Sequence, residues 1–131
     1  MLPFLVEFRP GEPVYEQVIF AAKKAMLSGN LPPGSRFPSV RSLSQELKIN
    51  PNTAHKVVMA LTAEGFLAVN PGIGTIVAQL PAGSTVDRAS LLDGDVERLV
   101  VEATRLGLSE DQVVSALHKH WRKLSSSHER D

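Results

Sequence analysis

The chain has 131 residues, 43% of them hydrophobic, which is enough for one ordinary domain or a small domain with an appendage. Its 14 Lys and Arg balance 14 Asp and Glu, so net charge gives no reason to expect a polyanionic partner. Cysteine is absent, no apolar run reaches membrane-spanning length, and the opening "MLPFLVEFRPGEP" lacks the basic start and apolar stretch of a signal peptide. These features exclude disulfides and thiolate metal sites, and they predict a soluble, cytoplasmic protein with no membrane partner.

The first predicted helix is Pro13 to Ser28, with Pro13 near the first helical position, where its missing N–H costs nothing. Val14, Val18, Ala22 and Ala25, with Ile19 and Met26 beside them, keep helical spacing and form one apolar stripe. Gly29 and Asn30 stop it. "LPPGSRFPS" is then a rigid loop with a tight turn at Pro32, Pro33 and Gly34. Ser39 is a good N-cap for a short helix from Val40 to Leu47, which should bury Val40, Leu43 and Leu47. After the short turn "KIN", Asn50 caps and Pro51 opens a third helix that runs to Glu64, with Gly65 as a left-handed stop. "FLAVN", "PGIG" and "TIVA" read as two short strands around a glycine turn, so Phe66–Ala78 is a hairpin.

Beyond the hairpin, "QLPAGSTVDRAS" has the composition of a linker. Leu92, Val96, Leu99, Ala103 and Leu106 step by four and three along an amphipathic helix closed by Gly107. Ser109 and Gln112 make an S-x-x-Q capping box for a last helix striped by Val114, Leu117, Trp121 and Leu124, and "SSSHERD" should fray. The expected fold is mainly α with a small β-hairpin. A winged helix-turn-helix occupies 12–79, a linker 80–90, and a two-helix tail 91–125.

Two helices joined by a three-residue turn, the second rigidly started, make a helix-turn-helix, whose second helix meets base edges in the major groove with its N-terminal residues. The N–H groups at its start suit a phosphate. Asn52, Thr53, His55 and Lys56 project from its first turn and a half, and asparagine pairs bidentately with adenine while lysine reaches guanine or phosphate. Although the whole chain is neutral, Arg36, Arg41, Lys48 and Lys56 face only Glu46 within residues 36–56. The hairpin behind the helix is the wing.

These residues also carry a family likeness. "GNLPPGSRFPSVRSLSQELKINPNTAHKVVMALTAEGFLAVNPGIGTIV" resembles the N-terminal winged helix-turn-helix of GntR-type bacterial repressors, through P-G-x-x-x-P-S-x-R-x-L, N-P-N-T, L-x-x-E-G and G-x-G-T-x-V. "PVYEQV", N-P-N-T and the short tail resemble the YtrA-like subfamily. That resemblance implies a homodimeric transcriptional regulator, a repressor on an inverted-repeat operator in double-stranded DNA, dimerised by its tail helices. It implies DNA contacts at Arg36, Ser39, Arg41, Asn50, Asn52, Thr53, His55 and Lys56, with Gly72 and Gly74 as wing glycines. Dimerisation falls to Leu92, Val96, Leu99, Ala103, Leu106, Val114, Leu117, Trp121 and Leu124. Pro51 stands where many other GntR-type proteins carry an arginine, and Ile73 where a basic or polar wing residue is common.

The plainer readings stand beside these. An isolated Arg36 or Arg41 would be an ordinary solvated charge, Asn50 a cap only, and Trp121 core or dimer contact. His118 and His120, two apart on a helix, point different ways and make no metal pair. "PGIG" has no following helix or lysine to make it a phosphate loop. No nucleophile–base or metal constellation marks an enzyme, and no cofactor is expected. A small-molecule effector is left open, with no residue set to mark it. The competing class is a winged-helix protein–protein interaction module; the basic cluster favours DNA.

Overall fold

A computed structural model describes residues 2–129. Helix α1 spans Val14–Ser28, α2 Val40–Leu47 and α3 Pro51–Ala63, followed by strands β1 (Leu67–Asn70) and β2 (Gly74–Val77). Pro13 sits just ahead of α1, and Gly29 at φ 92° turns the chain out of it. The core gathers Val18, Ala22, Ala25 and Met26 from α1, Leu43 from α2, and Ala54, Val57 and Leu61 from α3, closed by Leu67 and Val77 of the hairpin. Val14 is exposed rather than part of the α1 stripe, and Val40 and Leu47 are only half-buried, which leaves Leu43 as the buried anchor of α2.

Two segments without a predicted element complete this unit. Phe4 of the N-terminal arm is buried and stacks on Phe37, with ring centroids 6.1 Å apart. The Gln17 side chain holds the arm: its Oε1 accepts the Arg9 N–H at 2.8 Å, and its Nε2 donates to the Arg9 and Glu12 carbonyls at 3.0 Å each. The predicted loop at 34–37 runs along β2, where the Val77 N–H reaches the Ser35 carbonyl (2.8 Å) and the Phe37 N–H the Thr75 carbonyl (2.9 Å). β1 and β2 pair antiparallel with Leu67 opposite Val77. Lys23 of α1 adds an ion pair with Glu64 (3.2 Å) and lies over the Phe66 ring.

The stretch predicted as a linker over 80–90 is helical from Thr85. Helix α4 (Thr85–Ala89) starts at a full capping box: Ser84 Oγ accepts the Asp87 N–H (3.0 Å), and the Ser84 N–H reaches Asp87 Oδ2 (3.3 Å). A π-helical stretch, Ser90–Asp95, follows, in which the Val96 N–H bonds to the Leu91 carbonyl five residues back. It leads directly into α5, Val96–Arg105. Helical hydrogen bonding thus overrides the polar, glycine-bearing composition. Gly107 at φ 76° ends α5: its N–H bonds to the Thr104 carbonyl and that of Leu108 to Ala103. On α5 the Arg105 guanidinium pairs with Glu102 and holds that carboxyl below the usual carboxylate range.

The predicted S-x-x-Q box opens α6 (Glu110–Glu129): Gln112 N–H to Ser109 Oγ at 3.1 Å, and Ser109 N–H to Gln112 Oε1 at 2.8 Å. The helix continues through Ser125–Glu129, where the sequence predicts a frayed end; Arg130 and Asp131 lie outside the described residues. The chain divides into two compact units, one reaching Pro81 and taking in the end of α6 from Leu124, the other spanning 82–123. In the second unit Ala103 alone is buried, while Leu92 (65%), Val96, Leu99, Leu106, Val114, Leu117 and Trp121 (70%) are exposed. Leu124, predicted on the same stripe, is half-buried and groups with the first unit. No helix among the described residues is long and apolar enough to cross a membrane.

Candidate nucleic-acid interface

The geometry of α2–turn–α3 rests on three local devices. Ser39 Oγ accepts the Ser42 N–H (3.1 Å) and donates to Ser42 Oγ (3.1 Å), so this hydroxyl caps α2 and is already engaged. The turn closes through Ser44, whose Oγ donates to the Ile49 carbonyl (2.8 Å) and whose carbonyl accepts the Ile49 N–H (3.1 Å), while Lys48 takes a left-handed conformation at φ 57°. Asn50 Oδ1 accepts the Asn52 N–H at 2.7 Å and Pro51 fills the first helical position, so the start of α3 is pinned from both sides.

With Ala54, Val57 and Leu61 buried, 3.6 residues per turn send Asn52, Lys56 and Met59 to the opposite side of α3. Asn52, His55 and Lys56 are exposed; Thr53 is half-buried and so less available than predicted. The Asn52 side chain makes no hydrogen bond to a described residue. Met59, 57% exposed on the same face, carries no motif and is visible only once the core face is known. Arg41 is exposed on α2, its guanidinium without a hydrogen bond or ion pair among the described residues.

Two predicted contact residues are partly occupied. Arg36 Nη2 donates to the Ile73 carbonyl at 2.8 Å, bracing the wing tip across 37 residues of sequence. The Lys56 ammonium lies over the Tyr15 ring, 4.0 Å from its centroid. The wing glycines are explained by backbone shape. Gly72 sits at φ 87° in a turn closed by the Ile73 N–H on the Asn70 carbonyl (3.0 Å), with Pro71 ahead of it, and Gly74 follows at φ 111°. A side chain at Gly72 would meet nothing, so conformation rather than space requires glycine there. Ile73 is exposed between them.

The pinned recognition helix, a free arginine on the helix before it, and a turn-defined wing coincide with a known family pattern: the model of bacterial regulatory proteins of the gntR family matches residues 7–77. The chain belongs to the gntR family. It is 28% identical over 122 residues to the HTH-type transcriptional repressor YtrA of Bacillus subtilis (strain 168), covering 92% of this chain and 91% of that one. In fold it is similar to a transcriptional antiterminator from Listeria monocytogenes EGD-e, with a TM-score of 0.79 at 20% identity over 93% of this chain and 92% of that chain. The AraR DNA-binding domain, solved in complex with operator ORX1, matches 56% of this chain and 95% of its own length at 26% identity and a TM-score of 0.51. As a gntR-family member, this chain is a transcriptional regulator, and the fold expected from the sequence, a winged helix-turn-helix followed by tail helices, is the one observed.

Proposed function

We propose that this regulator represses transcription by binding an inverted-repeat operator in double-stranded DNA as a homodimer. Residues 12–79 form the DNA-binding domain, and the tail over 91–125 makes the dimer. The observation that carries the reading is the start of α3, where an engaged cap and Pro51 fix the first turn while the Asn52 side chain is left exposed and unpaired. Arg41 supplies an exposed cation on the preceding helix, unpaired among the described residues, and phosphate contacts set affinity while base contacts set sequence. The likeness to an operator-bound AraR domain and to the YtrA repressor supports the same reading.

The tail supports the dimer. Its exposed apolar residues lie on helices that, among the described residues, bury only Ala103, and a two-fold partner offering the same surface would cover them. Two recognition helices about 34–36 Å apart would then meet successive major grooves of one operator. The test is selection of duplexes from a random pool by the purified protein, followed by salt titration of the selected and scrambled sequences. The expected result is a palindromic motif, and Arg41→Ala should lower the slope of log affinity against log salt by about one unit. Failure to retain any duplex would sink the reading in favour of a protein–protein module.

A further inference from the structure

Lys56 is the one lysine of α3, and the fold does not leave it free in the groove. Its ammonium rests on the face of Tyr15, 4.0 Å from the ring centroid. Tyr15 belongs to the first turn of α1 and is packed against the core, whereas Lys56 is exposed. The ring is therefore the fixed partner and the ammonium the guided one. A ring face attracts a cation electrostatically without taking up its N–H groups as a carboxylate would, so the ammonium donors turned away from the ring stay available to an acceptor on the open side. The Tyr15 hydroxyl is turned to Glu16, donating to its Oε1 at 3.4 Å, which leaves the ring face as the feature Lys56 uses.

We infer that Tyr15 is a positioning residue for DNA binding: it holds the Lys56 ammonium at the α1 flank of α3, where it meets a backbone phosphate rather than a base edge. The inference rests on the operator-binding reading and adds a division of labour to it. Asn52, one turn before Lys56 and unpaired, is left to face the bases. A compact, hydrated ammonium acts as a point charge and suits a phosphate.

The test is a double-mutant cycle on the full chain, read on a selected duplex and its scrambled counterpart. Tyr15→Leu should weaken both about two- to fivefold, the scale of an exposed cation–π contact. Tyr15→Phe keeps the ring and should bind as the wild type does. Lys56→Ala should weaken both duplexes and lower the salt slope by about one unit, and Tyr15→Leu should then cost nothing more. Without DNA, the Lys56 ε-methylene protons should be shifted upfield by the ring current in the wild type and in Tyr15→Phe, and return to ordinary values in Tyr15→Leu. Equal cost of Tyr15→Leu in both backgrounds, Tyr15→Phe falling with Tyr15→Leu, or unshifted methylene protons would each overturn the inference. A wild-type protein that retains neither duplex would overturn the operator-binding reading as well, whereas wild-type binding with an additive cycle removes only the role of Tyr15.

Discussion

The winged unit and the tail have the same kind of helix but opposite relations to water. In the first, Leu43, Val57 and Leu61 are fully buried, and even the N-terminal arm and the proline loop contribute Phe4, Leu31 and Phe37 to one core. In the second, helices with good caps and regular stripes leave nearly every large apolar side chain exposed. Caps and hydrophobic periodicity therefore specify a helix without specifying what it packs on. A small unit buries a smaller share of its own surface than a large one, so a surface like that of the tail gains more from a partner, as the proposed dimer requires.

The sharpest way to break this contrast is the same substitution in both regions. Leu43→Ala empties a side chain at 0% exposure and should cost about 2–5 kcal/mol in chemical denaturation, at every protein concentration. Leu99→Ala on the exposed face of α5 should cost about 0.5 kcal/mol or less where the chain is monomeric, and more only as concentration rises. Equal, concentration-independent losses would mean that the two regions do not differ as described.

Removing the tail sharpens the contrast further. The cut belongs after Pro81, because the helical run begins at Thr85 with its cap at Ser84. It also removes the end of α6 that groups with the winged unit, so circular dichroism must first show that the shortened protein is folded. The shortened protein should sediment as a monomer and bind the operator about a hundredfold more weakly or worse, since two half-sites would no longer be engaged through one linked molecule. A dimeric mass with unchanged affinity would assign dimerisation to the winged unit instead.

The smallest effect is confined to one side chain within the winged unit. Asn52→Ala should lose about 1–3 kcal/mol on the operator and little on scrambled DNA, relaxing preference at one position per half-site. Identical motifs selected by wild type and variant would show that Asn52 reads no base, and equal weakening on both DNAs would make it a phosphate contact.

What the sequence determined by itself was local. Ser39, Asn50 with Pro51, Gly65, Gly107 and the Ser109–Gln112 box mark helix starts and stops because each acts on backbone groups within a turn of itself, so residue type and spacing suffice. The turn glycine Gly72 is legible for the same reason: Pro71 before it and a positive φ at its own position define the turn. The candidate interface was readable as far as it lies on such a start, which is why Asn52 and Arg41 stand exposed where the motif puts them. Tertiary structure alone decided the rest. Arg36 is drawn to a carbonyl 37 residues away, Lys56 to a ring on another helix, Phe4 to Phe37 across the core, and residues 34–37 to the edge of β2. Their partners are brought near only by the folded chain, and long side chains such as arginine and lysine settle on whatever surface the fold presents within their reach.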